Sequence, residues 1–270
     1  MPTPVSHTAL YQGRSSGLIL ACDFTATGRT VAGFADLARA VRPAESVWET
    51  APPPTAAASP SGVDCVEFWL EDLHRSTAPV NTVLGFCVGS VFAAELATRV
   101  AEVRGQAPKV IVFDPERPDA DLLHRHYREA VESLAGTLSR DELTAAQDAG
   151  QAAHRDLTEL ADLGAELPRL LGEHCGPAFA RIGLDTRRIA ELTAVFSRFL
   201  AYLVAAAQLD PRRVWARSTA LSSATAHSGL NPLPAAERAA AVAAELRFDV
   251  PHTDLLRNPR VGEAVRTLIA

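Results

Sequence analysis

The 270-residue sequence has no run of 18 consecutive apolar residues. Its first seven residues, Met1-Pro2-Thr3-Pro4-Val5-Ser6-His7, show neither the basic start nor the apolar stretch of a secretory signal. Export and a membrane partner are therefore not expected, and the cytoplasm is the expected location. Long basic runs are missing too: 26 Lys and Arg stand against 32 Asp and Glu, a formal net charge of −6, which argues against a nucleic acid partner. Cysteine is scarce. Cys22, Cys65, Cys87 and Cys175 lie far apart, in no C-x-x-C pair and no metal-ligand spacing, so a disulfide framework, a zinc site and a resident cofactor are not expected. Any cysteine that matters acts singly. What is abundant is apolar surface: 47% hydrophobic and 21% charged residues suffice for one large core or two small ones, which excludes intrinsic disorder.

Gly17 to Cys22 is a short apolar run that turns polar at Asp23, with Thr25, Thr27 and Gly28 beyond it, the pattern of a buried parallel strand feeding a loop. A helix is expected over 32–41, a strand over 45–49 and a surface loop over the Pro- and Ala-rich 51–60. Ser61 is placed to cap a helix carrying Val63, Val66, Phe68, Trp69 and Leu73, before strands at 80–86 and 109–113 that flank a helix with Val91, Leu96 and Val100. The alternation predicts a mainly parallel sheet with helices on both faces. Strand-like runs then stop. Residues 118–209 keep only helical periodicity, clearest over 186–208, where Ile189, Leu192, Val195, Phe196, Phe199, Leu200 and Leu203 recur at 3.6-residue spacing. This segment is expected to be a mobile helical lid inserted into a core of 1–117 and 210–270. The sheet resumes at 214–221, a polyalanine helix over 234–245 is expected to pack closely on it, and a last strand at 246–250 precedes a helix at 259–270.

The chemistry concentrates at Gly85-Phe86-Cys87-Val88-Gly89, a G-x-C-x-G sequence at a strand-to-helix junction. A nucleophile on so sharp a turn needs Gly85 and Gly89 beside it, because a Cβ at either would meet the neighbouring strand or helix. The thiol would stand at a helix N-terminus whose dipole favours thiolate. Asp114 ends the next strand, 27 residues on, and His252 follows the last one. Nucleophile, acid, histidine is the chain order of an α/β-hydrolase. In such a set His252 takes the thiol proton, Asp114 fixes its tautomer, and the oxyanion is held by the Val88 N–H and by one from the loop after the first strand, Phe24 or Thr25. Glu116 and Asp119 compete for the acid role and His227 for the histidine. His124 and His126, two apart on a helix, do not suit a metal. The pairs Arg187-Arg188 and Arg212-Arg213 suit a solvated face or an acidic partner.

With these residues in place, the sequence resembles the thioesterase domains of nonribosomal peptide and polyketide assembly lines. The resemblance covers nearly the whole chain, from the first strand and its loop through elbow, acid, helical insertion and histidine. Cys87 stands where those enzymes carry serine and Ser90 where they carry a second glycine, so the likeness is to a cysteine variant. It implies an α/β-hydrolase fold and release or transfer of an acyl or peptidyl chain from a carrier protein through an acyl-cysteine, in natural-product (antibiotic) biosynthesis. The substrate would ride on the carrier's phosphopantetheine, and with no attached carrier domain the enzyme would act in trans. Two rivals remain: a dienelactone-hydrolase-like cysteine hydrolase, whose acid would be expected after the strand ending at Leu221, and a catalytically silent acyl-binding protein.

Overall fold

The computed structural model describes residues 4–25, 31–53 and 60–270. Thr27, Gly28 and most of the 51–60 loop lie outside the described residues, as do Met1 to Thr3. In chain order the elements are β1 (His7–Tyr11), β2 (Leu18–Cys22), α1 (Phe34–Val41), β3 (Ser46–Thr50), α2 (Gly62–Arg75), β4 (Val80–Phe86), α3 (Gly89–Arg104) and β5 (Lys109–Phe113). They continue with α4 (Ala120–Ser133), α5 (Arg140–Asp156), α6 (Leu160–Arg181), α7 (Thr186–Ala207), α8 (Arg212–Trp215), β6 (Thr219–Ser222), α9 (Ala235–Ala241), β7 (Ala244–Arg247), a 3₁₀ turn (His252–Arg257) and α10 (Pro259–Ile269).

The seven strands form one sheet in the order β1-β3-β2-β4-β5-β6-β7, parallel except for the antiparallel edge strand β1. Every residue of β2 is buried, as a central parallel strand covered on both faces requires. Ile19 and Ala21 join Leu84, Phe86, Ile111 and Phe113 under α1 and α10, where Phe34 meets Phe113 edge-on with centroids 5.8 Å apart. On α2 and α3, Trp69 meets Phe92 at 5.1 Å and its indole N–H donates to the Ala51 carbonyl. The Asp72 carboxylate of α2 accepts the N–H groups of Val5 and Ser6 and the Ser6 hydroxyl, which secures β1. Burial alone would raise that carboxyl, but these donors and Arg75 together hold it well below the usual carboxylate range.

From β2 the chain steps outward to β3, then returns to β4 on the other side of β2. The β2/β4 boundary is thus the topological switch point, where α/β sheets open a crevice at the carboxyl ends of their strands. Cys22 pairs in register with Gly85, Phe86 with Phe113, and Phe113 with Leu221. The residues that follow these strands therefore emerge along one edge: Asp23, Cys87, Asp114 and Ser223.

The described chain divides into two compact units, one of 1–117 and 208–270 and one of 118–207. The second consists of α4 to α7. Asp119 and Ser139 cap the first two of these helices, accepting from the Leu122 and Glu142 N–H groups. Tyr127 is buried, donates to the Ala146 carbonyl and packs close against Gly150. In α7 only the C-terminal half is buried, through Leu200 and Leu203; Leu192 is 46% exposed. By length and composition alone, α7 is apolar enough to cross a membrane, and within its unit it packs on α6.

Three expectations need correction. The expected strand at 214–221 begins as helix α8, initiated after Asp210-Pro211, and β6 keeps only Thr219–Ser222. Trp215 turns inward there and its indole N–H donates to the Ser90 carbonyl, a tertiary contact that overrides strand propensity. The last strand lies at Ala244–Arg247, ahead of 246–250. The helix before it is short, and none of its residues is buried, so the alanines of α9 do not pack closely on the sheet.

Candidate active site

Cys87 has φ 51°, a left-handed conformation unusual for a non-glycine residue and costing about 1–3 kcal/mol. Three backbone bonds impose it. The Cys87 N–H donates to the Phe113 carbonyl at 2.8 Å, and its own carbonyl accepts from Ser90 and Glu116 at 3.1 and 3.4 Å. The flanking glycines are demanded by close approach. A Cβ on Gly89 would sit 2.1 Å from the Cys22 carbonyl oxygen, and one on Gly85 would sit 2.4 Å from Ser90 Cα. Gly89→Ala should therefore push α3 off the end of β2. We expect a loss of several degrees in thermal midpoint, about 2 °C for each kcal/mol lost in a chain of this size, together with a slower Cys87. A midpoint equal to that of the unsubstituted protein would show that the strand end yields freely.

Asp114 is fully buried and also left-handed, with φ 42°. Its carboxylate is committed on both oxygens: Oδ1 accepts the Ser223 N–H at 2.8 Å and Oδ2 accepts His252 Nδ1–H at 2.7 Å. Gly229, itself at φ 58°, lies against the Asp114 backbone. His252 is fixed from two further directions. Its imidazole stacks on Phe86 with centroids 4.6 Å apart, and its backbone N–H donates to Thr225 Oγ1 at 2.8 Å. The Nδ1–H bond leaves Nε2 as the basic nitrogen.

Asp114 and His252 are thus brought together beside the Cys87 elbow, across 138 residues of chain. The competitors lie elsewhere in role: Asp119 caps α4, and His227 is exposed on the loop after β6. Cys22, Cys65 and Cys175 are buried, whereas Cys87 is partly exposed. Among the described residues no group of three His, Cys, Asp or Glu could hold a metal. His124 stacks on His154, and Arg187, Arg188 and Arg212 pair with neighbouring carboxylates.

The thiol differs from expectation. Burial, then Glu116, push the Cys87 thiol well above its ordinary range, with Asp23 and Asp114 adding to the effect and the Val88 N–H opposing it. One backbone donor at the helix N-terminus is outweighed by lost hydration and three carboxylates. The thiol donates to Glu116 Oε2 at 3.8 Å, and among the described residues no hydrogen bond joins it to His252. The Val88 N–H, next along the chain, favours the thiolate. Phe24 is different: its N–H donates to Asp23 Oδ1 at 2.8 Å, so a substrate oxygen would have to displace that carboxylate, and the exposed Thr25 donates its hydroxyl to Glu49 Oε2. Ser223, Thr225 and Phe86 escaped the sequence reading as supports of the acid and histidine. For Ser223 and Thr225 the visible signal was the polar run Ser222-Ser223-Ala224-Thr225.

No protein-family profile and no curated protein matches this sequence. Solved structures do. A Vlm2 thioesterase domain with genetically encoded 2,3-diaminopropionic acid, bound with a dodecadepsipeptide, aligns over 99% of this chain and 97% of that one, at TM-score 0.54 and 19% identity. The NocB thioesterase domain from the nocardicin cluster aligns over 93% and 92%, at TM-score 0.51 and 14% identity. YbtT, a type II thioesterase from the yersiniabactin NRPS/PKS biosynthetic pathway, aligns over 98% and 97%, at TM-score 0.50 and 16% identity. At such identities the likeness is one of fold: the chain has the α/β-hydrolase fold, with a mostly parallel seven-stranded sheet.

Proposed function

We propose that this α/β-hydrolase is a thioesterase or acyltransferase of natural-product biosynthesis that works through an acyl-cysteine on Cys87. The observation that carries the reading is the 2.7 Å pairing of buried Asp114 with His252 at the sheet edge where the strained elbow presents a partly exposed thiol. The substrate class follows from the resemblance of elbow, acid and histidine to assembly-line thioesterases: an acyl or peptidyl thioester on the phosphopantetheine of a cytoplasmic carrier protein. A carboxylate to replace Asp114 would be needed after β6 in a dienelactone-type site. There the loop instead offers the Ser223 N–H to Asp114, which disfavours that rival.

In the first step the Cys87 side chain turns from Glu116 to His252, and Nε2 takes the thiol proton as sulfur attacks the thioester carbonyl carbon. The tetrahedral oxyanion is held by the Val88 N–H and by a donor of the Phe24–Thr25 segment once Asp23 yields. Collapse breaks the carbon–sulfur bond to the carrier, whose departing sulfur receives the proton from His252. The acyl-Cys87 is then attacked by water, an amine or a hydroxyl; His252 accepts that proton and returns it to the Cys87 sulfur. Imidazole, thiol and backbone N–H fill each of these roles.

Exchange of one thioester for another leaves the acyl group activated, whereas a serine would form a more stable ester. The cysteine therefore favours transfer to an acceptor, with hydrolysis as a side reaction. Loading with a panel of acyl-carrier thioesters should add the acyl mass to Cys87, seen by intact-protein mass spectrometry, and acceptor capture should fall in Cys87→Ser. If no thioester adds mass, the reading is wrong; if serine captures acceptors as well as cysteine, only the preference for transfer is.

A further inference from the structure

Asp114 and His252 follow different strands, and the segment after β6 runs between them, anchored to both. The Ser222 carbonyl accepts the Phe248 N–H at 2.9 Å, and the Ala224 N–H donates to the Val250 carbonyl at 2.8 Å. The Ser223 N–H donates to Asp114 Oδ1, and Thr225 Oγ1 accepts the His252 N–H, each at 2.8 Å. Ser223 thus holds the acid, while Ser222, Ala224 and Thr225 hold the stretch that ends in the histidine. Any shift of this segment changes how Asp114 Oδ2 meets His252 Nδ1, now 2.7 Å apart. Its shape is set from outside. Asn231 Nδ2 donates to the Ser223 and Thr225 carbonyls, both at 2.9 Å. Two carbonyl acceptors decide which way the amide faces, because only its NH₂ can donate. Asn231 is in turn anchored beside the acid. Its N–H donates to the Ser228 carbonyl at 3.2 Å, and the intervening Gly229, at φ 58°, lies so near Asp114 that a Cβ there would sit 2.7 Å from Asp114 Cα.

We propose that Asn231 is a positioning residue of this site: its amide holds residues 223–225 in the shape that presents Asp114 to His252. The inference rests on the reading of these two as the acid and base that serve Cys87. Acid, segment and amide close a ring, running from Asp114 through Ser223 to Asn231 and back through Gly229. The ring is tied to His252 at Thr225, one of the two residues that the amide grips. Without the amide, the Ser223 and Thr225 carbonyls no longer share a donor. The Ser223 N–H then drifts from Oδ1 and the His252 backbone moves with Thr225, so both ends of the acid–base pair loosen together. A displacement of about 1 Å at reacting groups costs on the order of 10²-fold in rate. Asn231 takes no proton and stabilises no charge in the acyl-transfer steps; it acts through the pair alone.

The test compares Asn231→Ala with the unsubstituted protein in two readouts. The first is single-turnover loading of Cys87 by hexanoyl- and phenylacetyl-pantetheine, followed by rapid-quench mass spectrometry. The maximal rate should fall about 10- to 100-fold, with the half-saturating thioester concentration unchanged. The second is the proton magnetic resonance of His252 Nδ1–H, which its short bond to a buried carboxylate places far downfield and which is identified by its loss in His252→Asn. That signal should broaden or vanish in Asn231→Ala. A double-mutant cycle separates positioning from mere support of the fold. In Asp114→Asn the histidine has already lost its acid, so adding Asn231→Ala should cost no further rate. Asn231→Ser keeps one donor, should fall between the two proteins in both readouts, and carries the test if alanine does not fold. Unchanged loading, an unchanged resonance, or a loss of the same factor in the Asp114→Asn background each overturns the inference while the acyl-cysteine reading stands. If no thioester adds mass even to the unsubstituted protein, the acyl-cysteine reading falls, and the resonance alone decides whether Asn231 positions the pair.

Discussion

Cys87→Ala is expected to form no acyl-enzyme with any thioester and to turn over at least about 10⁴-fold more slowly, as when the nucleophile of a catalytic triad is removed. The fold should be unaffected. Cys87 is a partly exposed residue at the sheet edge, so the loss of one sulfur atom removes little packing. Its left-handed φ of 51° strains alanine and cysteine alike, because the clash belongs to the Cβ that both carry. The Phe113, Ser90 and Glu116 backbone bonds that impose the turn do not involve the side chain. Intact-protein mass spectrometry against a phosphopantetheinyl thioester measures the first expectation and a thermal melt the second. An alanine variant that turns over at the unsubstituted rate would remove Cys87 from the chemistry. A variant that melts much earlier would show that the thiol's contact with Glu116 is structural.

How far the sequence revealed this site depends on which level of structure sets each feature. β4 and β5 were readable to the residue because each has an apolar centre, Val83-Leu84 in one and Val110 to Phe113 in the other, and gives way to a tight turn, the Gly-flanked elbow after β4 and Asp114-Pro115 after β5, which put Cys87 and Asp114 at the sheet edge. β1 was not. His7-Thr8-Ala9-Leu10-Tyr11 is an antiparallel edge strand with an irregularity between Ala9 and Tyr11, half exposed and without an apolar run to announce it. The opposite error occurred at 214–216, where apolar Val214 and Trp215 mimic a strand but are held in a helical turn by packing against Ser90. In the site, sequence order pointed to Asp114, which directly follows the core strand β5, and to His252, which comes shortly after the edge strand β7. The Glu116 contact was out of reach, since the direction of that side chain follows from the left-handed Asp114 and from the Glu116 N–H to Cys87 carbonyl bond. The raised thiol was likewise invisible: a helix N-terminus can be read from sequence, whereas burial and three converging carboxylates are tertiary facts.

Asp114→Asn should keep the shape of the site and lose its chemistry. Asparagine tolerates a left-handed φ better than most residues, so the 42° conformation survives. The amide can sit in two ways. With its oxygen towards the Ser223 N–H, its NH₂ faces His252 Nδ1, which must then accept; the proton moves to Nε2, and the imidazole can no longer take one from the Cys87 thiol. With its oxygen towards His252, its NH₂ meets the Ser223 N–H, and two buried donors face each other at a cost of about 1–3 kcal/mol. Ser223 lies in the backbone and cannot change its role, so the first arrangement is favoured. Acylation should then slow by roughly 10²- to 10⁴-fold, the span between loss of one general base and loss of a triad acid. Single-turnover loading of Cys87 measures this, with near-unchanged thermal stability as the control. Wild-type loading in Asp114→Asn would remove Asp114 from the acid role, and a large loss in Glu116→Gln on the same thioesters would reassign that role to Glu116. The two variants act on different atoms, the first on Nδ1 of the base and the second on the thiol itself.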